Sequence, residues 1–351
     1  MKQVHFSLLL ISTIAFTLSS CHSNDIPYTQ DGNWVYRGDF DAIPRSEAVS
    51  FVIGDSAYVG MGVDANFLRY NDLWSFDPVT YNWSQLATCP GIGRSSAVAF
   101  SVNGMGYVTT GYDGYNMLTD TWQFNPTTNS WKQQASFIGS ARYDAVAFGI
   151  GNYGYVGTGY DGNYRNDFFR FDPSATTDSG GWTQSITYAG HTRTQAIAFV
   201  YNDSAYVVTG NSSGSPVDDF WRFDPNLSNG NQWRELRHIS NFSPDSYDDG
   251  YTTIERSNGV GFVIKNTISD GGGDRAYITS GINGALYTWT WAYNFATDIW
   301  NEKTPLERSA RQGSVGFSVD NQAFIALGLA GGTPVAETDQ WYPDEPYNQQ
   351  D

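Results

Sequence analysis

Residues 94–131 read RSSAVAFSVNGMGYVTTGYDGYNMLTDTWQFNPTTNSW. The stretch holds four short runs rich in β-branched and aromatic residues, with alternation inside each run. Turn formers such as Asn103-Gly104 separate them, as Gly54-Asp55 does in the unit before. This is the pattern of a four-stranded antiparallel sheet of tight hairpins. One such sheet cannot bury both of its faces alone. Several packed radially can, and the packing also protects their edges.

The same pattern recurs along the chain. Arg-x-x-small-x-x-Phe occurs at Arg45…Ala48…Phe51, Arg94…Ala97…Phe100, Arg142…Ala145…Phe148, Arg193…Ala196…Phe199, Arg256…Gly259…Phe262 and Arg311…Ser314…Phe317. The spacings are 49, 48, 51, 63 and 55 residues, in the range of repeat architectures. Each unit continues with an aromatic followed four residues later by Gly, from Tyr58…Gly62 to Phe324…Gly328. Asp-x-aromatic-x-Phe comes next, at Asp72, Asp120, Asp167 and Asp219. It degenerates to Trp291-Ala292-Tyr293 in the fifth copy and stops at Asp339-Gln340-Trp341 in the sixth. A Trp closes the first five units: Trp83, Trp131, Trp182, Trp233 and Trp300. These residues, over nearly all of 34–343, resemble the kelch motif, with a single Gly where many kelch repeats have two. The resemblance implies an all-β, six-bladed kelch β-propeller.

Closure can be read from spacing. Trp83, Trp131, Trp182 and Trp300 each precede the next repeat Arg by 11 residues, and Trp34 precedes Arg45 by the same interval. Trp34 therefore marks the last strand of a blade whose other strands come from elsewhere, and the sixth repeat lacks that strand. The N-terminal strand around Trp34 is predicted to complete the final blade. Two insertions break the pattern. One, before Arg256, contains Asp245, Asp248 and Asp249 and is expected as a solvated acidic surface on the arginine-bearing face. The other, between Arg256 and Tyr277, contains Gly271-Gly272-Gly273 and falls on the opposite face.

The N-terminus reads as an address. An apolar stretch from Phe6 to Leu18 is too short to span a bilayer and ends in Leu18-Ser19-Ser20-Cys21. This resembles the lipobox of bacterial lipoproteins. The resemblance implies a signal peptide over 1–20, lipidation at Cys21, a polar tether over 21–33 and a propeller over 34–351. With His22 after the Cys, it implies an outer-membrane protein of the cell envelope, periplasmic or surface-exposed. Only Cys89 remains beside Cys21, so neither a disulfide nor a four-thiolate metal site is expected.

Charge excludes some functions. With 36 acidic and 19 basic residues the formal charge is −17, and a field of that sign repels nucleic acid and anionic lipid. The six repeat arginines, Arg45, Arg94, Arg142, Arg193, Arg256 and Arg311, form a ring at the mouth of the axial channel. Kelch proteins that hold an acidic ligand with such arginines give them a binding role. The competing reading makes them ties, each satisfied by a repeated Asp of a neighbouring blade or by carbonyls. The loops between second and third strands differ from blade to blade and face the same way. Tyr112-Asp113-Gly114-Tyr115-Asn116 and Tyr160-Asp161-Gly162-Asn163-Tyr164 pair flat aromatics with short polar groups, which suits sugars. Tyr112, Asp113, Tyr160 and Asp161 are thus ligand candidates, although the same residues are also turn formers.

Catalytic constellations are sparse. No close-spaced His pair suits a metal, and no cofactor is expected. Glu47 and Asp144, each two residues after a repeat Arg, are weak candidates for general acid–base work. Kelch epimerases and mutarotases of sialic acid are the enzymes this resemblance brings in. The sequence favours a monomeric, lipid-anchored module that binds a glycan or another envelope protein on its arginine-bearing face, with the acidic-sugar enzyme as alternative.

Overall fold

The computed structural model describes residues 31–350 except 177, 186, 187 and 229. The predicted lipobox and lipidation site at Cys21 lie outside the described residues. Six four-stranded antiparallel sheets surround one axis. Blade 2 shows the local logic. Val98–Val102 lies innermost, followed outward by Met105–Thr109, Thr121–Asn125 and Ser130–Gln134. The innermost strand alternates buried and half-buried residues, because one face packs into the blade interface and the other meets the channel. The second strand is buried over its last four residues, as expected for a strand covered on both faces.

The sixth blade closes the ring. Its order from the outside is Asp31–Asp39, Glu337–Pro346, Gln322–Ala326, Val315–Val319. Trp34 pairs opposite Trp341, the two rings lie 5.0 Å apart, and the Trp34 indole donates to the Thr304 carbonyl at 3.3 Å. The predicted N-terminal closure is therefore the observed one.

Aromatic clusters fill the spaces between blades. Phe100 and Val102 of blade 2 pack with Phe171 and Trp182 of blade 3. The repeat Gly is explained by a second observation. Gly62, Gly111, Gly159, Gly210, Gly281 and Gly328 all have φ between 91° and 118°, a region that disfavours side chains. Each donates its N–H to the carbonyl of the next blade's repeat Arg, from Gly62 to Arg94 (2.8 Å) round to Gly328 to Arg45 (3.0 Å). A belt of hydrogen bonds thus links all six blades.

The insertions fall on opposite faces, as read from the sequence. The second lengthens the inner hairpin of blade 5, Val260–Thr267 with Gly273–Thr279. In the first, Asp245 and Asp249 are exposed as expected, but the rest departs from expectation. Ile239, Tyr251 and Ile254 are buried in the core of blades 4 and 5. Asp248 is fully buried and accepts the N–H groups of Phe242 and Ser243, each at 3.1 Å. It organises a packed loop and is not part of a solvated acidic surface. Among the described residues no helix is long and apolar enough to cross a membrane. Cys89 is buried and free.

Candidate functional site

The six arginines are all 0–1% exposed. Arg94 shows the arrangement. Its Nη atoms donate to both Asp120 oxygens at 2.8 and 2.6 Å and to the Thr110 carbonyl at 3.1 Å, and its Nε donates to the Ile92 carbonyl at 3.2 Å. Arg45 meets both oxygens of Asp72 and Arg142 both oxygens of Asp167 in the same way, while Arg193 meets one oxygen of Asp219, whose other oxygen accepts the His191 N–H. Arg311 meets Asp339 and Glu337. The Asp lies in the arginine's own blade, not in a neighbouring blade as expected. The reason is that the first and third strands of a blade begin at the same end.

Arg256 is the exception. Trp289 stands where other blades have Asp, and the guanidinium is satisfied by the carbonyls of Ile254, Ser280, Trp289 and Thr253 at 2.6–3.0 Å. Burial without a carboxylate pushes Arg256 down to about 9. None of the six guanidiniums lines the cavities along the channel.

The neck of the channel is built by the residue two places after each Arg. Glu47, Ser96, Asp144, Gln195, Asn258 and Gly313 all sit at φ 52–61°, a conformation that costs a non-glycine residue about 1–2 kcal/mol. A closed belt of backbone bonds holds it. Each N–H donates to the carbonyl of the preceding member, at 2.7 Å from Glu47 to Gly313 and 3.0 Å for the other five. The kink brings these six residues to the wall of a cavity of about 190 Å³ on the axis. Below it, small residues such as Ala97 and Gly259 keep the channel narrow. It then widens to about 540 Å³ at the opposite face.

Four of the neck side chains pair across consecutive blades. Ser96 Oγ donates to Glu47 Oε2 at 2.8 Å, and the Asp144 carboxylate accepts from Gln195 Nε2 at 2.9 Å. Burial first, and the Glu47 charge second, push the Asp144 carboxyl up to about 7, against the lowering effect of the Ser96 and Gln195 bonds. At neutral pH a proton on Asp144 is therefore exchangeable.

An aromatic wall rises beside Asp144. Arg69 lies over the Tyr112 ring at 5.0 Å, Tyr112 meets Tyr143 at 5.7 Å, Tyr143 meets Tyr160 at 5.7 Å, and Tyr160 meets Tyr164 at 5.3 Å. Burial, then the charge of Asp144, raises the Tyr143 hydroxyl above its usual range. All four rings are half-buried. The two aspartates named with them serve their own loops. Asp113 accepts from the N–H groups of Tyr115 (2.7 Å) and Asn116 (2.6 Å). Burial opposes ionisation of Asp161, but its bonds from Arg165, Ser140 and the Asn163 N–H outweigh it and hold the carboxyl at about 2.

The structure thus brings Glu47 and Asp144 to the neck, sets Tyr112 and Tyr160 against Ser95 and Tyr143 next to it, and turns the six arginines, Asp113 and Asp161 to internal bonds. Sequence reasoning missed Ser96, Gln195, Asn258, Tyr143 and Arg69, and quoted Tyr164 only within its loop. A signal for the first three existed: they occupy the repeat column that singled out Glu47 and Asp144. Tyr143 is one place earlier.

Residues 38–191, somewhat under half of the chain, match the family described as the KLHDC2/KLHL20/DRC7 Kelch-repeats domain. Two curated proteins, the N-acetylneuraminate epimerases of Shigella sonnei (strain Ss046) and Escherichia coli (strain K12), are 33% identical to the chain over 86 residues. That stretch spans only 23% of this chain and 23% of each relative. The solved structure of YjhT matches 86% of this chain and 95% of its own, with a TM-score of 0.66 and 19% identity. At that identity the likeness shows the fold.

Proposed function

We propose, on the premise that this chain is a six-bladed kelch-repeat propeller, that it is a carbohydrate-binding module displayed in the cell envelope through a lipid on Cys21. The ligand sits at the neck, against the tyrosine wall. One observation carries the reading: the contacting rings of Tyr112, Tyr143, Tyr160 and Tyr164 stand next to the neck, where Tyr112 bridges to Ser95 and Tyr160 to Tyr143, the chain neighbours of Ser96 and Asp144. Aromatic faces stack on the C–H faces of a sugar while amides, hydroxyls and carboxylates bond its hydroxyls. The test is titration calorimetry with a panel of mono- and disaccharides on residues 24–351. Binding that weakens in Tyr160→Ala supports the reading, and a panel without binding refutes it. Labelling with a radioactive fatty acid, lost in Cys21→Ala, tests the anchor.

A second reading, an enzyme interconverting sugar anomers, is favoured by the exchangeable proton on Asp144 beside Glu47 and by the epimerase relatives. Protonated Asp144 would donate to the ring oxygen as Glu47 takes the proton of the anomeric hydroxyl, which opens the ring to the carbonyl form, and the reverse steps would close it on the other face. Exchange spectroscopy of the anomeric protons tests this. The rate should rise over the uncatalysed value and return to it in Glu47→Gln.

A further inference from the structure

We infer that the sugar bound at this mouth carries a protonated amine, so that the site takes an amino sugar in preference to a carboxylate-bearing one. The inference rests on the carbohydrate reading above and adds the charge of the ligand. Five features point the same way.

The repeat arginines, which would have received a carboxylate, are buried and engaged by their own blades. Among the described residues lining the neck there is no Lys, Arg or His, while two carboxylates, Glu47 and Asp144, face the axis. The two cations nearer the rim already face carboxylates. Arg165 pairs with Asp161 at 2.7 Å, and the charge of Arg69 acts on Asp113. Four half-buried tyrosine rings stand in a row next to the neck, and the negative face of such rings attracts ammonium groups. The chain's charge of −17 raises the local concentration of cations and lowers that of anions.

The geometry also distinguishes an amine from a hydroxyl. An ammonium is a three-proton donor with no acceptor capacity, and the neck offers it carboxylate oxygens of Glu47 and Asp144 on either side of Ser96. A carboxylate placed there meets the Glu47 carboxylate and no cation of the neck lining. An N-acetylated amine loses the charge and gains bulk in a cavity of about 190 Å³.

The experiment is titration calorimetry near neutral pH with D-glucosamine, D-glucose, N-acetylglucosamine, N-acetylneuraminate and, as a cation without a sugar, choline. D-glucosamine is expected to bind about tenfold more tightly than D-glucose or N-acetylneuraminate, the gain of one well-placed charge interaction. That preference should shrink in Glu47→Gln and in Tyr160→Leu, persist in Tyr160→Phe, and be untouched by Lys265→Ala at the far end of the channel. Thermal melts confirm that each variant is folded, and the Phe variant keeps the test valid if the Leu variant is not.

N-acetylneuraminate binding as tightly as D-glucosamine overturns the inference. D-glucose and D-glucosamine binding equally overturns it too, but leaves the carbohydrate reading in place. Choline binding without any sugar binding supports the cation preference and sinks the carbohydrate reading. Absence of binding throughout overturns both.

Discussion

Replacing Arg94 by Ala distinguishes an arginine that ties the blade from one that holds a ligand. The wild-type guanidinium is fully buried, with two bonds to Asp120 and two to carbonyls. Truncation leaves Asp120 with the Trp122 indole, at 2.6 Å, as its remaining side-chain donor. Breaking a buried ion pair by removing one partner costs about 3–5 kcal/mol. Asp120 keeps 23% side-chain exposure, which places the expected loss at about 3–4 kcal/mol. At about 2 °C per kcal/mol for a domain of this size, Tm falls by roughly 7 °C. Adding Asp120→Asn removes the orphaned charge, and the double-mutant cycle should give a coupling of about 2 kcal/mol.

The loss should depend on pH. Burial opposes ionisation of Asp120, but the bonds and charge of Arg94 outweigh it and hold the carboxyl below its usual range. A depressed carboxyl contributes stability above its unfolded pKa and loses it as pH falls through the folded value. The penalty of Arg94→Ala should therefore be full at pH 7 and shrink below about pH 4. Urea unfolding followed by tryptophan fluorescence at both pH values is the assay. A loss under about 1 kcal/mol at pH 7, or sugar binding abolished in a variant of unchanged Tm, refutes the reasoning and returns the arginines to the ligand.

Three further outcomes are expected. Trp34→Ala removes the buried ring that closes blade 6 against Trp341 and Phe262 and should cost about 3–5 kcal/mol; an unchanged thermal melt would show that closure does not depend on this strand. Asp144→Asn should stabilise the protein above neutrality and do little at acid pH. The wild-type carboxyl is raised to about 7, so its contribution is full below the ordinary carboxylate range and lost as pH rises through 7, a gap of about 3 kcal/mol between pH 5 and 8 that parallel melts would miss only if Asp144 titrates normally. Gly106→Ala places a Cβ 2.1 Å from the Phe51 ring of the preceding blade and should cost about 1–3 kcal/mol by overpacking, measurable by urea titration, although blades 1, 4, 5 and 6 carry Ala57, Ala205, Ala276 and Ala323 at that register.

The repeat pattern by itself determined the architecture. Alternation, turn pairs and six Arg…Phe…Gly units, five of them ending in Trp, specify six four-stranded blades, because local pairing and the need to bury both sheet faces leave few other solutions. The interval from Trp34 to Arg45 determined the closure as well, since strand spacing within a blade is local. Tertiary structure alone decided what the conserved-looking columns do. A guanidinium four residues before a strand can point to the axis or into its own blade. The choice falls to the partner placed at the same end of the sheet, and Asp120 is there for Arg94 while Trp289 is there for Arg256. The candidate site was half visible for the same reason. Glu47, Asp144, Tyr112 and Tyr160 stood out as residue types. Ser96, Gln195 and Tyr143 gained meaning only when residues about fifty apart in sequence converged on one axis, where burial and mutual charge, absent from any single repeat, set their chemistry.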